Sequence, residues 1–523
     1  MCLRRTGRRR MAGKQSSSRA WLVSLAVAWL GLPSAADAAD SLNGASGQRQ
    51  SAFEPSVSVS ETLTDNYDVS SQKAEADAIT RLTAGLRWSA STGALRGYLD
   101  YALTSLVYAR HSARNELQNA LNANATADLI DQRLQVVTSA AIAKTAISAF
   151  GAQPGLGGDG NSNATETRTF DLIPTWRGPL GPDLRYGASL AYALSSAAGS
   201  GLGNSTNVSA MFHLEPVNRS TLGWTLDASH VDTSFKQGRS TMGDRIYGGL
   251  SFDLNALDLR LNASAGIEKT NIASLDPVRS NTWSMGLLWS PSPVTQVIAQ
   301  MEDRFFGRSH LLSMEHRTAR TIFRLRSSRS LSTSGSQVAG VRGTAYDLFF
   351  SQLASQQPDP LLREDLVNRL LRAQGIDPVT MINTGFLRSA ATVQELLEFS
   401  AAWSSPRDAL VILVNRGKTS RADSLSSAVD DLTRAGAVST SNLSLNLSHR
   451  LTPTASLGVL VSIQRASGSQ ADLSSQQAQA ELQFSSRLTV DSTVGASMRR
   501  ARYQTGLQSN NETALSASYA VRF

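Results

Sequence analysis

Three features of the sequence predict an all-β fold, a transmembrane antiparallel up-and-down β-barrel of about 22 strands, within roughly 16 to 24, with one short helical insert. The first is the closing segment Asn511 to Phe523, where Thr513, Leu515, Ala517, Tyr519, Val521 and Phe523 alternate with small or polar residues. This is a period-two strand with one apolar face, long enough to cross a membrane at a tilt. The second is the leader. Arg4, Arg5, Arg8, Arg9, Arg10 and Arg19 precede an apolar run from Trp21 to Leu32, and Ala36-Asp37-Ala38 comes next as a small-x-small cleavage site. The order is that of a secretory signal peptide over residues 1–38, its apolar core being too short to span a bilayer. A retained signal anchor is the alternative. The third is the patterning of the chain beyond the leader: Ser, Ala, Leu, Thr and Arg alternate almost throughout, and no stretch of about 20 apolar residues appears. An edge strand of a soluble β-sandwich is the competing reading of the closing segment.

The charge supports an envelope location rather than a nucleic-acid partner. The full chain has a formal net charge of +8. Six arginines and Lys14 lie in residues 1–38 against Asp37 alone, so the mature chain retains only about +2. Cys2, the only cysteine, lies before the apolar core. No disulfide, thiolate or lipid attachment is therefore expected in the mature protein.

After a polar segment, residues 39–52, alternation begins at Phe53 to Leu63 and returns at Ala78 to Trp88 and Ala94 to Tyr108. Asn115 to Ile130 has the Ala and Leu content of a helix, but Leu117, Leu121, Ala123, Ala125, Ala127 and Leu129 fall at spacings of two, which favours a strand. Further strands are expected at 133–148, 165–176, 184–194, 206–214, 221–231, 241–254, 257–268, 280–290, 294–304, 310–316 and 321–331. Tight turns such as Asn255-Ala256 and Ser290-Pro291-Ser292-Pro293 alternate with longer polar loops such as Ala197 to Asn204 and Thr270 to Val278. A membrane barrel has this parity, with turns at the periplasm and loops outside.

The alternation breaks at about 344–392. Leu361, Leu362, Leu366, Leu370 and Leu371 share a helical face, with Asp359 as cap, Pro360 at the first position and Gly375 at the end. Asp377-Pro378 begins a second helix, and Tyr346, Leu348, Phe349, Phe350 and Leu353 suggest one just before. Parity places this insert on the outer side. Strands resume at 396–403, 409–416, 439–451, 456–465, 476–485, 488–500 and the closing segment, and an even number is required if both ends of the barrel chain face the periplasm.

The stretch Glu54-Pro55-Ser56-Val57-Ser58-Val59-Ser60-Glu61-Thr62-Leu63-Thr64-Asp65-Asn66 resembles the opening of a family of outer-membrane proteins associated with PEP-CTERM/exosortase systems and exopolysaccharide gene clusters. Asn115 to Ile130 and Pro358-Asp359-Pro360-Leu361-Leu362-Arg363 extend the resemblance over most of the mature chain, though only Glu-Thr-x-Thr-Asp-Asn is moderately specific. The resemblance implies a barrel in the outer membrane of a Gram-negative bacterium, working near extracellular polysaccharide or sorted surface proteins. It implies no reaction and transfers no catalytic residue.

The residues themselves give little catalytic signal. His111, His213, His230, His310, His316 and His449 are scattered, and neither His-Glu-x-x-His nor Gly-x-Ser-x-Gly occurs. A hydrolase assembled from separate strands is the least favoured function. Asp159 to Asn163, and Asp65, Asn66 and Asp68, offer oxygen ligands without the spacing of a calcium loop, so turn capping is preferred. No metal or cofactor is expected. Tyr519, Val521 and Phe523 are the candidate barrel-assembly signal, and Arg320, Arg324 and Arg326 the candidate lumen cations. Expected partners are outer-membrane lipid, the barrel-assembly machinery, and exopolysaccharide or its export proteins. Two functions are compatible with these features: a transport or export conduit, or a non-conducting scaffold using the insert and loops as docking surfaces.

Overall fold

The computed structural model describes residues 50–523 apart from 70–72, 132, 155–161, 200, 219–220, 336–344, 356–362, 364–365, 368–369, 371–384, 471 and 507. The expected signal peptide over 1–38, most of the polar segment 39–52, the expected helix start Asp359 to Leu362, Gly375 and Asp377-Pro378 lie outside the described residues. Twenty-two antiparallel strands form one sheet, from β1 (Gln50–Thr64) to β22 (Gln508–Arg522). Each strand pairs with its successor, and β1 pairs with β22 through nine registered positions from Ser56↔Arg522 to Thr64↔Ala514. The sheet therefore closes on itself and has no free edge, as lipid requires of a β structure.

One parity of residues is apolar around the whole circumference. In β22, Leu515, Tyr519 and Val521 stand beside Leu63, Val59 and Val57 of β1, while Ala514, Ser516, Ser518 and Ala520 point the other way. The same outward set continues through Phe53↔Trp88, Ile246↔Ile267 and Leu443↔Ile463. Many of these outward side chains, among them Leu63, Leu82, Leu250 and Leu443, remain exposed. An apolar surface of this extent would be insoluble in water and is matched to hydrocarbon. Phe53, Trp88, Trp176, Trp224, Trp289, Trp403, Phe484 and Tyr519 all sit outward near the short-turn end, forming the aromatic girdle of a membrane interface. The chain is an outer-membrane β-barrel.

The connections alternate as expected. Turns at 181–183, 255–258, 293–294, 318–320 and 405–407 mark one end, with the start of β1 and the end of β22. Loops at 147–163, 198–204, 271–277, 333–391 and 422–436 mark the other. Two connections at this loop end are nevertheless tight, at Phe305-Phe306 and at 506–507. Strand boundaries depart most from the sequence pattern at prolines. β6 (Ala164–Leu180) runs through Pro174 and Pro179, and its pairing with β7 (Leu184–Ala197) skips from Leu172↔Tyr192 to Thr175↔Ser189 around Pro174. β21 (Ser492–Thr505) begins after Leu488, which lies in a turn. Asn115 to Ile130 is a strand, β4 (Glu116–Ile130), as its alternation indicates.

Candidate functional site

The helical insert does not project from the barrel. It leaves β15 (Thr321–Ser332) and re-enters β16 (Thr392–Ser404) at the loop end, yet α1 (Ala345–Gln352) packs at the opposite end of the same strands. Leu348, Phe349 and Leu353 form one buried cluster with Ile322, Ala402, Ala409 and Val411, all inward positions beside the short turns. Val367 belongs to the cluster, and Leu366 and Leu370 pack against it. Arg363, also helical, lies over the Phe350 ring at 4.7 Å. Polar contacts fix the helix end: Gln352 Nε2 donates to Ser404 Oγ (2.9 Å), and Arg324 donates to Ser351 Oγ. The described part of the insert thus packs against the inner wall of the barrel. The insert joins the strands at the loop end, but the apolar side chains Leu348 and Phe349 are buried by the wall at the far end.

A second closure spans the loop end. The loop after β5 (Leu134–Ala146) crosses the mouth, so that Ala149 and Phe150 join Phe386, Leu432, Ala435, Val438, Ala466 and Leu473 in one buried cluster. Ala146 bridges Phe386, and Tyr503 Oη of β21 donates to the Phe150 carbonyl (3.4 Å). The short helix α2 (Asp431–Ala435) contributes its N-terminal side. Asp430 caps it in a reciprocal box with Thr433, and Asp431 accepts from the Ala149 amide (2.6 Å) and the Ser148 hydroxyl (2.9 Å). Burial raises the Asp431 pKa, although these donors oppose the shift.

The segment Phe386 to Ala391 runs buried through this lid. Gly203 N donates to Ser389 Oγ (3.3 Å) and Arg388 N to Gly335 O (2.9 Å). Gly238 lies so close that a Cβ there would stand 2.2 Å from the Ser389 carbonyl, so a side chain is excluded. Arg388 is 2% exposed, with its Nη1 on Thr392 Oγ1 (3.0 Å). Desolvation lowers its pKa to about 10, against the opposing pull of Asp430. Neither α2 nor Arg388 is apparent from sequence; the only local signals are the Asp430-x-x-Thr433 cap and Gly436.

Between the two clusters the wall is polar and many of its charges are paired. Arg87 meets Asp100 (2.6 Å), Arg185 meets Glu215 (2.7 Å) and Arg499 meets Glu512 (2.8 Å), while Arg245–Glu302 and Arg304–Glu268 form a crossed set over β10 (Thr241–Leu254) to β13 (Thr295–Arg304). Inward Met211 is 57% exposed, so side chains do not fill the lumen there. Of the candidate lumen cations, Arg324 and Arg326 face inward. Arg324 pairs with Glu315 (2.8 Å) as well as Ser351, and Arg326 is exposed opposite Glu398. Arg320 lies in the 318–320 turn outside the strand. Tyr519, Val521 and Phe523 occupy the outward parity at the short-turn end; Phe523 is 76% exposed and its amide donates to Pro55 O (3.0 Å).

The polar motif at the end of β1 and just beyond it serves the closure seam. Thr62 Oγ1 contacts Ser516 Oγ (2.9 Å), Thr64 Oγ1 donates to Glu512 (3.0 Å), Asp65 accepts from the Thr513 amide (2.7 Å), and Asn66 Nδ2 donates to Asn511 O (3.0 Å). Asp68 accepts from Arg114 (2.9 Å). His111 bridges Asp77 (Nδ1, 2.6 Å) and Glu75 (Nε2, 2.8 Å) and stacks on Tyr67. His213, His230 and His449 each meet an Asp across strands. Among the described residues no three His, Cys, Asp or Glu side chains converge as metal ligands. Asn163 donates to the Ser148 and Ala152 carbonyls, and Asp159 to Asn161 lie outside the described residues.

No family model matches the chain, and no curated protein matches it. Solved barrels do. The FrpB iron transporter from Neisseria meningitidis (F5-1 variant) is 9% identical, with 90% of this chain and 82% of that chain covered and a TM-score of 0.47. A mutant of the ferric enterobactin receptor PfeA from Pseudomonas aeruginosa is 12% identical over 90% and 80%, TM-score 0.42. OccK11 from the same organism is 8% identical over 90% and 96%, TM-score 0.31. The fold assignment rests on the strand pairing itself.

Proposed function

We propose that this barrel is a gated conduit across the outer membrane, closed at the short-turn end by its own β15–β16 segment. The observation that carries this reading is the position of α1: a segment that joins the strands at the loop end buries Leu348 and Phe349 against Ile322 and Ala402 at the opposite end. A purely structural barrel needs no such segment. The wall supports a hydroxyl-rich or weakly charged solute over a strongly anionic one, because most of the named lumen arginines are matched by carboxylates. Together with the resemblance of Glu54 to Asn66, this favours a role in exopolysaccharide or surface-protein traffic. The scaffold alternative draws on the buried clusters that stand inside the barrel at both ends; docking through α1 is disfavoured because Leu348 and Phe349 are buried inside.

Planar-bilayer recording tests the reading. The full chain is expected to conduct little, and a variant lacking residues 336–384 to show large, long-lived current steps while remaining heat-modifiable on gels. An assembled deletion variant as silent as the parent would overturn the conduit in favour of the scaffold.

A further inference from the structure

The outward surface of β17 (Asp408–Arg421) to β21 changes character along its length. Near mid-strand it is apolar, with Ile412, Val414, Leu445, Val461 and Ile463 in adjoining rows. Towards the loop end, five bases replace them: Arg416 and Lys418 on β17, Arg465 on β19 (Ala455–Ser467), and Arg500 and Arg502 on β21. All five are exposed, and none makes a hydrogen bond or ion pair with a described residue. No outward position of β17 to β21 at this end carries a carboxylate. Glu395, which faces Lys418 across the neighbouring strand pair, is engaged by Arg329 (3.3 Å).

Two of these bases share one row: Arg416 lies opposite Ser441, Ser441 opposite Arg465, Arg465 opposite Gln476 and Gln476 opposite Gln504, while Arg502 and Arg500 end the adjoining rows that run through Ile463 and Val461. The row lines a groove of about 460 Å³. Elsewhere on the same rim carboxylates stand among the outward cations, as in Arg168–Glu166, His230–Asp244 and Asp244 opposite Lys269. Unmatched cations above an apolar wall, at the loop end of an outer-membrane barrel, lie at the level of the outer-leaflet headgroups. Serine and glutamine between them supply donors for phosphate oxygens or sugar hydroxyls.

We infer that this face binds the phosphorylated disaccharide headgroup of an outer-leaflet glycolipid of the lipid A class, with phosphates on these exposed arginines and acyl chains on the apolar side chains nearer mid-strand. The inference rests on the loop end facing outwards, which cell fractionation and surface proteolysis read separately from lipid binding.

The test uses the full-length barrel in mild detergent, titrated with bis-phosphorylated lipid A, its dephosphorylated form and inorganic phosphate, and read by native mass spectrometry. Bis-phosphorylated lipid A should bind best, and R416Q/R465Q/R502Q should weaken it at least about tenfold. The control K269Q/R279Q/R308Q, on the rim of other strands, should leave it unchanged. Equal binding of the phosphorylated and dephosphorylated lipids, equal losses in both triple variants, or full displacement by inorganic phosphate would each overturn the assignment. If the triple variant does not assemble, R465Q alone is expected to show a smaller loss of the same kind, and no loss would count against the site.

Discussion

Glu512 shows how much one side chain contributes to closing the cylinder. It is 1% exposed and accepts from both Thr64 and Arg499 at the β1–β22 seam. Glu512→Ala leaves the Arg499 guanidinium inside a polar network without its countercharge, a loss of about 2–3 kcal/mol. Urea unfolding of the refolded barrel should show a lower midpoint with an unchanged slope, and an unchanged midpoint would remove the seam argument. His111 sets a pH dependence of known sign. Hydrogen bonds to Asp77 and then Glu75 outweigh burial and raise its pKa in the fold. The imidazolium therefore stabilises the loop fully below its ordinary value of about 6.5, and the contribution fades as pH rises through the raised folded value. Protection of the Arg110 and His111 amides, both donated to Asp77, should fall from pH 6 towards pH 9 after correction for intrinsic exchange. His111→Gln should flatten that profile.

At the scale of elements, α1 is held by side chains rather than by its own helicity. Eight residues are too few for a stable isolated helix, so its order comes from burying Leu348 and Phe349 against the wall, about 1.5–3 kcal/mol each. Phe349→Asp would place a carboxylate in that apolar cluster and should release α1 without touching any strand pairing. Its expected phenotype is a barrel that still shifts on heating but conducts like the insert deletion. Parental conductance in the assembled F349D protein would show that α1 does not gate the lumen.

For the molecule as a whole, closure by β1 and β22 makes the last strand decisive for assembly. Phe523 is largely exposed and its ring has no buried packing role, so its loss should hardly alter the finished barrel. Deleting Phe523, one of the candidate assembly-signal residues with Tyr519 and Val521, is nonetheless expected to lower the amount of heat-modifiable protein in the outer membrane severalfold. A parallel drop in the unfolding midpoint of purified protein would instead assign Phe523 to stability. The same scale explains the distribution of charge: most of the named cations inside pair with carboxylates on other strands, while the five bases on the outer rim of β17 to β21 make no hydrogen bond or ion pair with a described residue.

Alternation at spacings of two determined the strands, their number to within a few, and which residues share a face, because a strand's two sides alternate by local geometry alone. It also set the parity of turns and loops, and the strand identity of Glu116 to Ile130 despite its helix-forming composition. The destination of the insert was not local information. Which wall would bury Phe349, which loops would meet over the mouth, and which lumen arginines would find carboxylates depend on strands brought together by closure across hundreds of residues. Periodicity names a face; only the closed cylinder decides what stands opposite it.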